Sequence, residues 1–344
     1  MGNPFHEIQL PKVFSIAVAY AVVPWMPIII AVTLFPLLFQ NQVVAADTEP
    51  QLYGVVVTGK RPGPPLWKVT NQDNVLWIFG TLDYLPKKLD WDPASVRFIL
   101  SQSEEYISPP RITSRELNPI KAISLIRKFN KIQKMPDKKT LQDVLPEELY
   151  TRFLESKLNY APRDNKILSL RPAEAASRLF RAARESVGLS FNRKVSNKLR
   201  SIARGRGATL ISHHDNSLDP KIFLQGYENI FMEDEISCME STLKTIETDL
   251  QAMIVRANAW ANGDADLLLL LDYPDRRTVC GESIFDSEEI KIIIEQTRME
   301  WIKSIEYALT NNNISFANFP MREIVHPDGL LAQLEQQGYV VSGQ

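Results

Sequence analysis

Met239, Leu243, Ile246, Leu250, Met253, Ala257 and Trp260 recur at alternating intervals of four and three residues. That period places all of them on one side of a long α-helix, which Asn262-Gly263 then closes. So long an apolar face has to be covered. Its own domain can cover it, or a second copy in a coiled coil. β-prone segments lie on both sides of the stripe, so packing within a mixed domain is the expectation.

Those segments define the rest of the fold. "LWKVTNQDNVLWIFG" reads as a β-hairpin: Leu66–Thr70, a turn at Asn71-Gln72-Asp73-Asn74, and Val75–Phe79 ending at Gly80. Asp92-Pro93 supplies a cap and a first-turn proline for a helix near Pro93–Ser103. A short extended piece, Glu105–Ile107, follows. Residues 118–185 read as mostly helical, in the pieces Lys121–Lys131, Thr140–Leu145, Glu147–Asn159 and Pro172–Ser186. Residues 208–212 read as a strand. A second long helix is capped at Asp286 or Ser287, and "ISFANF" follows as a strand. The helix Pro327–Gln337, Gly338 and a final strand complete the chain. The fold class is therefore α/β in the mixed α+β sense, with an N-terminal β-hairpin, a helical middle and a C-terminal strand–helix–strand.

Net charge is −2, which gives no whole-chain field toward nucleic acid. The basic run 193–206 has no interleaved aromatics and reads as a solvated helix and loop. The N-terminus is distinctive, because no charged residue lies between Lys12 and Asp47 and Val13–Phe39 is strongly apolar. Val44 and Ala46 stand at the −3 and −1 positions of a cleavage site before Asp47. Two readings stay open: a cleaved signal peptide over 1–46, or an uncleaved anchor, since a span needs only ~20 apolar residues. Pro24, Pro27 and Pro36 weaken a straight spanning helix. Either way the expectation is export, with the body periplasmic or membrane-anchored facing the periplasm and membrane attachment, if any, through 13–39. Residues 47–65 form a Pro/Gly-rich linker, and 66–344 a single domain. The two cysteines, Cys238 and Cys280, fit neither CxxC nor a zinc cluster; in an exported protein they form a disulfide candidate.

Three colinear stretches carry a family resemblance. "PLWKVTNQDNVLWIFGTLDYLPKKLDW", "ANAWANGDADLLLLL" and "FANFPMREIVHPDGLLAQLEQQGYVV" resemble TraB/GumN proteins, a group that includes the Tiki metalloproteases. The resemblance spans roughly 64–341. It implies a cleft in which two Gly-x-x-His turns and a Glu after the second core strand hold a divalent metal, which activates water. Each ligand position departs from that pattern. Asp83 stands at the first His position, in Gly80-Thr81-Leu82-Asp83. Glu323 stands at the second, in Pro320-Met321-Arg322-Glu323, where the Gly is also replaced. The acidic position falls near Ser108 or Pro109. The Arg-Asn pair expected in the preceding helix reads Thr297-Arg298.

Asp83 and Glu323 are thus the weak candidates for catalysis or metal binding, with Gly80, Thr81, Arg298 and Arg322 as candidate cleft-lining residues. Two carboxylates would suit only a weakly bound hard cation or an acid–base pair. "SHHDNS" places His213, His214 and Asp215 in a surface loop, and His326 reads as a helix-start residue. No phosphate loop, dinucleotide glycine motif or Gly-x-Ser-x-Gly is present. Two functions compete. One is a non-catalytic envelope protein, without a cofactor, that binds an envelope ligand or protein. The other is a divergent metal-dependent hydrolase using Asp83 and Glu323.

Overall fold

The computed structural model describes residues 63–343, apart from 90, 110–112, 115–117, 192, 213–216, 274–279 and 281–287. The N-terminal segment, most of the linker, His213, His214, Asp215, Asp286 and Ser287 lie outside the described residues.

The chain opens with the expected hairpin, β1 (Leu66–Asn71) and β2 (Asn74–Thr81). Its turn is tight enough to put Gln72 at φ 54°. After β3 (Tyr84–Pro86) come α1 (Ala94–Gln102), β4 (Glu105–Ile107), β5 (Thr113–Ser114) and α2 (Pro119–Ile132). The Asp92 carboxylate accepts the Ala94 N–H at 3.0 Å, although Pro93 is the formal cap. Next follow α3 (Glu147–Tyr160), α4 (Pro172–Ser186), β6 (Leu189–Phe191), α5 (Lys194–Gly205), β7 (Thr209–Ile211) and β8 (Ser217–Leu218). Then come α6 (Pro220–Glu228), α7 (Met232–Thr248), α8 (Leu250–Asn262), α9 (Ala265–Leu270) and α10 (Glu288–Asn311). The chain ends with β9 (Ile314–Pro320), α11 (Met321–Val325), α12 (Leu330–Gln336) and β10 (Val340–Gly343).

Two expectations change in detail. The apolar stripe is carried by two helices, α7 and α8, which meet at Asp249 (φ −108°, ψ −10°). The hydrogen-bond ladder runs through the junction, from Asp249 N–H to Thr245 O and from Met253 N–H to Asp249 O, both 2.9 Å. The stripe therefore stays on one side and is buried from Met239 to Trp260. The C-terminal helix expected over Pro327–Gln337 is the shorter α12, and an additional helix, α11, precedes it. Gly329 separates them, and a Cβ there would meet Glu323 O at 2.3 Å. No side chain fits so close to a backbone carbonyl.

The main sheet has the order β10-β1-β2-β9-β4-β7. β2, β9, β4 and β7 run parallel, while β1 is antiparallel to both β2 and β10. Parallel strands in such a sheet are covered on both faces and read as nearly unbroken apolar runs. β9 fits this, since every residue from Ser315 to Pro320 is buried. One face carries Phe79 and Phe316, with ring centroids 6.2 Å apart, under Trp91 and Trp260. On the other face Phe319 meets Trp301 of α10 at 4.4 Å. Gly63, Pro64 and Pro65 are already buried, and the Gly63 N–H reaches Ala261 O at 3.4 Å.

Cys238, on α7, and Cys280 form a disulfide with Cα atoms 4.6 Å apart. It joins positions separated by 42 residues, a closure that contributes about 4 kcal/mol on chain-entropy grounds.

Candidate functional site

Parallel neighbours end together, and the loops leaving their C-terminal ends frame a crevice. Here β2 and β9 end in register, with Thr81 opposite Pro320, and the Thr81 hydroxyl donates to Phe319 O at 2.9 Å. The turns after these strands open a cleft of about 100 Å³. Thr81, Leu82, Asp83 and Tyr84 line it from the first turn, and Pro320, Met321 and Arg322 from the second. Asp249, Met253 and Arg256 close one side from the α7–α8 junction, with Tyr273 beyond α9.

The first turn depends on Gly80. A Cβ at that position would lie 2.3 Å from Met321 Sδ and 3.1 Å from both Ile324 Cδ1 and Trp67 Cζ3. The Met321 side chain, 1% exposed, fills the space that the glycine leaves. On the other side the Trp260 indole donates to Gly80 O at 2.8 Å. The end of the apolar stripe thus holds the turn that presents Asp83.

The charges around the cleft are paired. Arg256 Nη2 donates to Asp249 Oδ2 at 2.5 Å, and Arg256 Nη1 donates to Asp272 O at 2.5 Å. The guanidinium also lies 5.4 Å from the centre of the Tyr273 ring. Burial pushes the Tyr273 phenol up to about 12, with the Arg256 charge opposing. Arg322 Nε lies 3.5 Å from Glu323 Oε1. Behind Tyr84, the Arg184 guanidinium stacks 3.9 Å from the ring centre. Burial is the largest influence on Arg184 and pushes it below the ordinary arginine range; Asp83 is among the charges opposing that shift. Arg184 Nε and Nη1 meet no hydrogen-bond partner among the described residues.

Of the residues named from sequence, Asp83, Thr81 and Arg322 line the cleft, while Gly80 is not among the lining residues and packs against Met321, Ile324 and Trp67. Glu323 sits on α11 beside Arg322 and is not among the lining residues. Arg298 lies half-buried on α10, away from the lining. Ser108 is buried, and its Oγ accepts from Arg200 at 3.3 Å. The His326 ring has a structural contact, Nδ1 accepting the Asp328 N–H at 3.0 Å. Sequence reasoning passed over the Asp249–Arg256 pair. Its signal was a spacing of seven, which places both residues on one helix side, next to the apolar stripe.

A family model described as TraB/PrgY/gumN family matches residues 65–343. The chain belongs to the TraB/PrgY/gumN family. No curated protein and no solved structure matches it. The match covers the whole sheet from β1 to β10, including both turns of the cleft. The described residues do not fit the metal centre that the resemblance implies. Among the described residues no three of His, Cys, Asp and Glu come together as a ligand group. Among the same residues no helix is long and apolar enough to cross a membrane; residues 13–39 lie outside that range.

Proposed function

We propose that this TraB/PrgY/gumN protein is exported and acts in the cell envelope as a binding protein, with the cleft between the β2 and β9 turns as its ligand site. One observation carries the reading: both cationic groups that line the cleft are held by carboxylates, Arg256 by Asp249 within the lining and Arg322 by Glu323 just outside it. A hydrolytic metal site needs several neutral imidazoles and carboxylates aimed at one point. Paired charges and a thioether instead make a formed recognition surface, with polar groups set among Leu82, Tyr84, Met253 and Met321. The rival, a divergent metal-dependent hydrolase, keeps Asp83 in the lining, but Glu323 stands outside it.

Calorimetric titration of the protein with Mn²⁺, Co²⁺ and Zn²⁺ tests the choice. The expected result is no micromolar binding and no metal-dependent proteolysis. A micromolar or tighter dissociation constant that vanishes in Asp83→Ala would transfer the protein to the hydrolase class.

A further inference from the structure

The β3–β6 ladder, in which Tyr84 pairs with Phe191, runs directly into basic segments on both strands. Lys87 and Lys88 follow β3; Arg193 and Lys194 follow β6 and start α5. All four are exposed. They are held as one surface, because Lys194 Nζ donates to Lys87 O at 3.1 Å and the Arg193 guanidinium lies 5.4 Å from the Phe191 ring centre. Phe191 is 39% exposed, so Arg193 lies over an aromatic ring that is partly open to solvent. Nearby α1 packs on α5 and presents Phe98, 63% exposed, beside exposed Arg97. The Asp92 carboxylate is engaged at the start of α1.

We propose that this face docks on an anionic lipid surface. Cations beside exposed aromatic rings match the membrane interface: the cations meet phosphates, and the rings enter the headgroup region. The place where the chain joins the domain supports that occupant. Gly63 packs so closely on Trp91 that a Cβ would lie 2.6 Å from Trp91 Cε3. From Lys88 to Trp91 the chain spans at most about 11 Å. The chain that precedes Gly63 therefore joins the domain beside the basic face. Residues 40–62 extend to roughly 80 Å, so this connection permits contact with a membrane without imposing it. Charge and aromatic exposure supply the attraction.

The proposal rests on residues 13–39 bringing the chain to a membrane, and the test separates the two. The full chain is reconstituted with phosphatidylcholine vesicles and with vesicles containing 30% phosphatidylglycerol (about one lipid in three). Flotation with the neutral vesicles reports attachment through 13–39. Lysine acylation by a water-soluble reagent, read by mass spectrometry, reports the docked face. Labelling of Lys87, Lys88 and Lys198 should slow at least threefold on the phosphatidylglycerol vesicles, while exposed Lys303 on α10 keeps its rate. Added 0.5 M NaCl should abolish the difference, as about a 4 Å screening length requires. Lys87→Glu/Lys88→Glu, two exposed positions, should lose the protection at Lys198 while keeping flotation. Equal labelling on the two vesicle types would overturn the proposal. So would a slowdown shared by Lys303, or stronger protection by single-stranded DNA than by the vesicles.

Discussion

The indole N–H of Trp260 donates a 2.8 Å hydrogen bond to the carbonyl of Gly80. This bond joins the last residue of the helical apolar stripe to the turn that begins the cleft. Trp260 is fully buried. Trp260→Phe removes the donor and leaves a gap beside the sheet, so stability should fall by about 1–3 kcal/mol. Chemical denaturation measures it. A change below about 0.5 kcal/mol would show that the bond adds nothing to the joint.

Gly80 and Met321 occupy each other's space. Gly80→Ala alone should destabilise by about 1–3 kcal/mol through overpacking. Met321→Ala alone should also destabilise, by about 2–5 kcal/mol through a cavity. In the double variant the new methyl group sits in the space the thioether vacated, so the combined loss should be well below the sum. A double-mutant cycle reads this coupling directly, and additive losses would refute the contact.

The Cys238–Cys280 bond predicts a mass two hydrogens below the reduced protein under non-reducing conditions. Cys238→Ala/Cys280→Ala should cost about 2–4 kcal/mol and lower the melting temperature. Two freely alkylated thiols in protein isolated without reductant would rule the bond out.

Glu235 is buried on α7 against Arg171, with which it forms an ion pair. Burial raises its pKa, and the Arg171 charge only partly opposes that. Nearby Glu174 is raised by burial as well. A carboxyl raised in the fold binds its proton more tightly there than in the unfolded chain. Its ionisation therefore costs stability, and the cost grows as pH rises from about 4.5 through the folded value. Below that window both states are protonated and the dependence ends. Glu235→Gln removes the titration but leaves Arg171 without its counter-charge, an offset that does not vary with pH over this range. The variant's stability relative to the wild type should accordingly rise between pH 5 and 8. A flat or falling difference would contradict the burial argument.

Asp83 lies half-buried at the rim of the cleft. Asp83→Ala should leave stability within about 1 kcal/mol, as for other surface turns. A larger loss in thermal or chemical denaturation would make the carboxylate part of the framework, through its charge on Arg184.

Local pattern was enough to place most elements. The hairpin, Glu105–Ile107, α4 and β9 follow from period, turn residues and caps, which act over a few positions. The stripe from Met239 to Trp260 marked a buried face, and that face is buried even though Asp249 divides its helix. The short ladders β3–β6 and β5–β8 carry no such signal, because their few residues are held by partners distant in the chain. α11 likewise depends on the packing of Met321 and Ile324, not on its own five residues. The resemblance located both cleft turns, since each is a contiguous phrase. What those turns face was decided only in three dimensions. Asp249, Arg256 and Tyr273 reach the cleft because α8 anchors Trp260 on Gly80, a contact across 180 positions. The amino-acid order encodes periodicity along the chain; which charges neutralise one another is set by how separate elements pack.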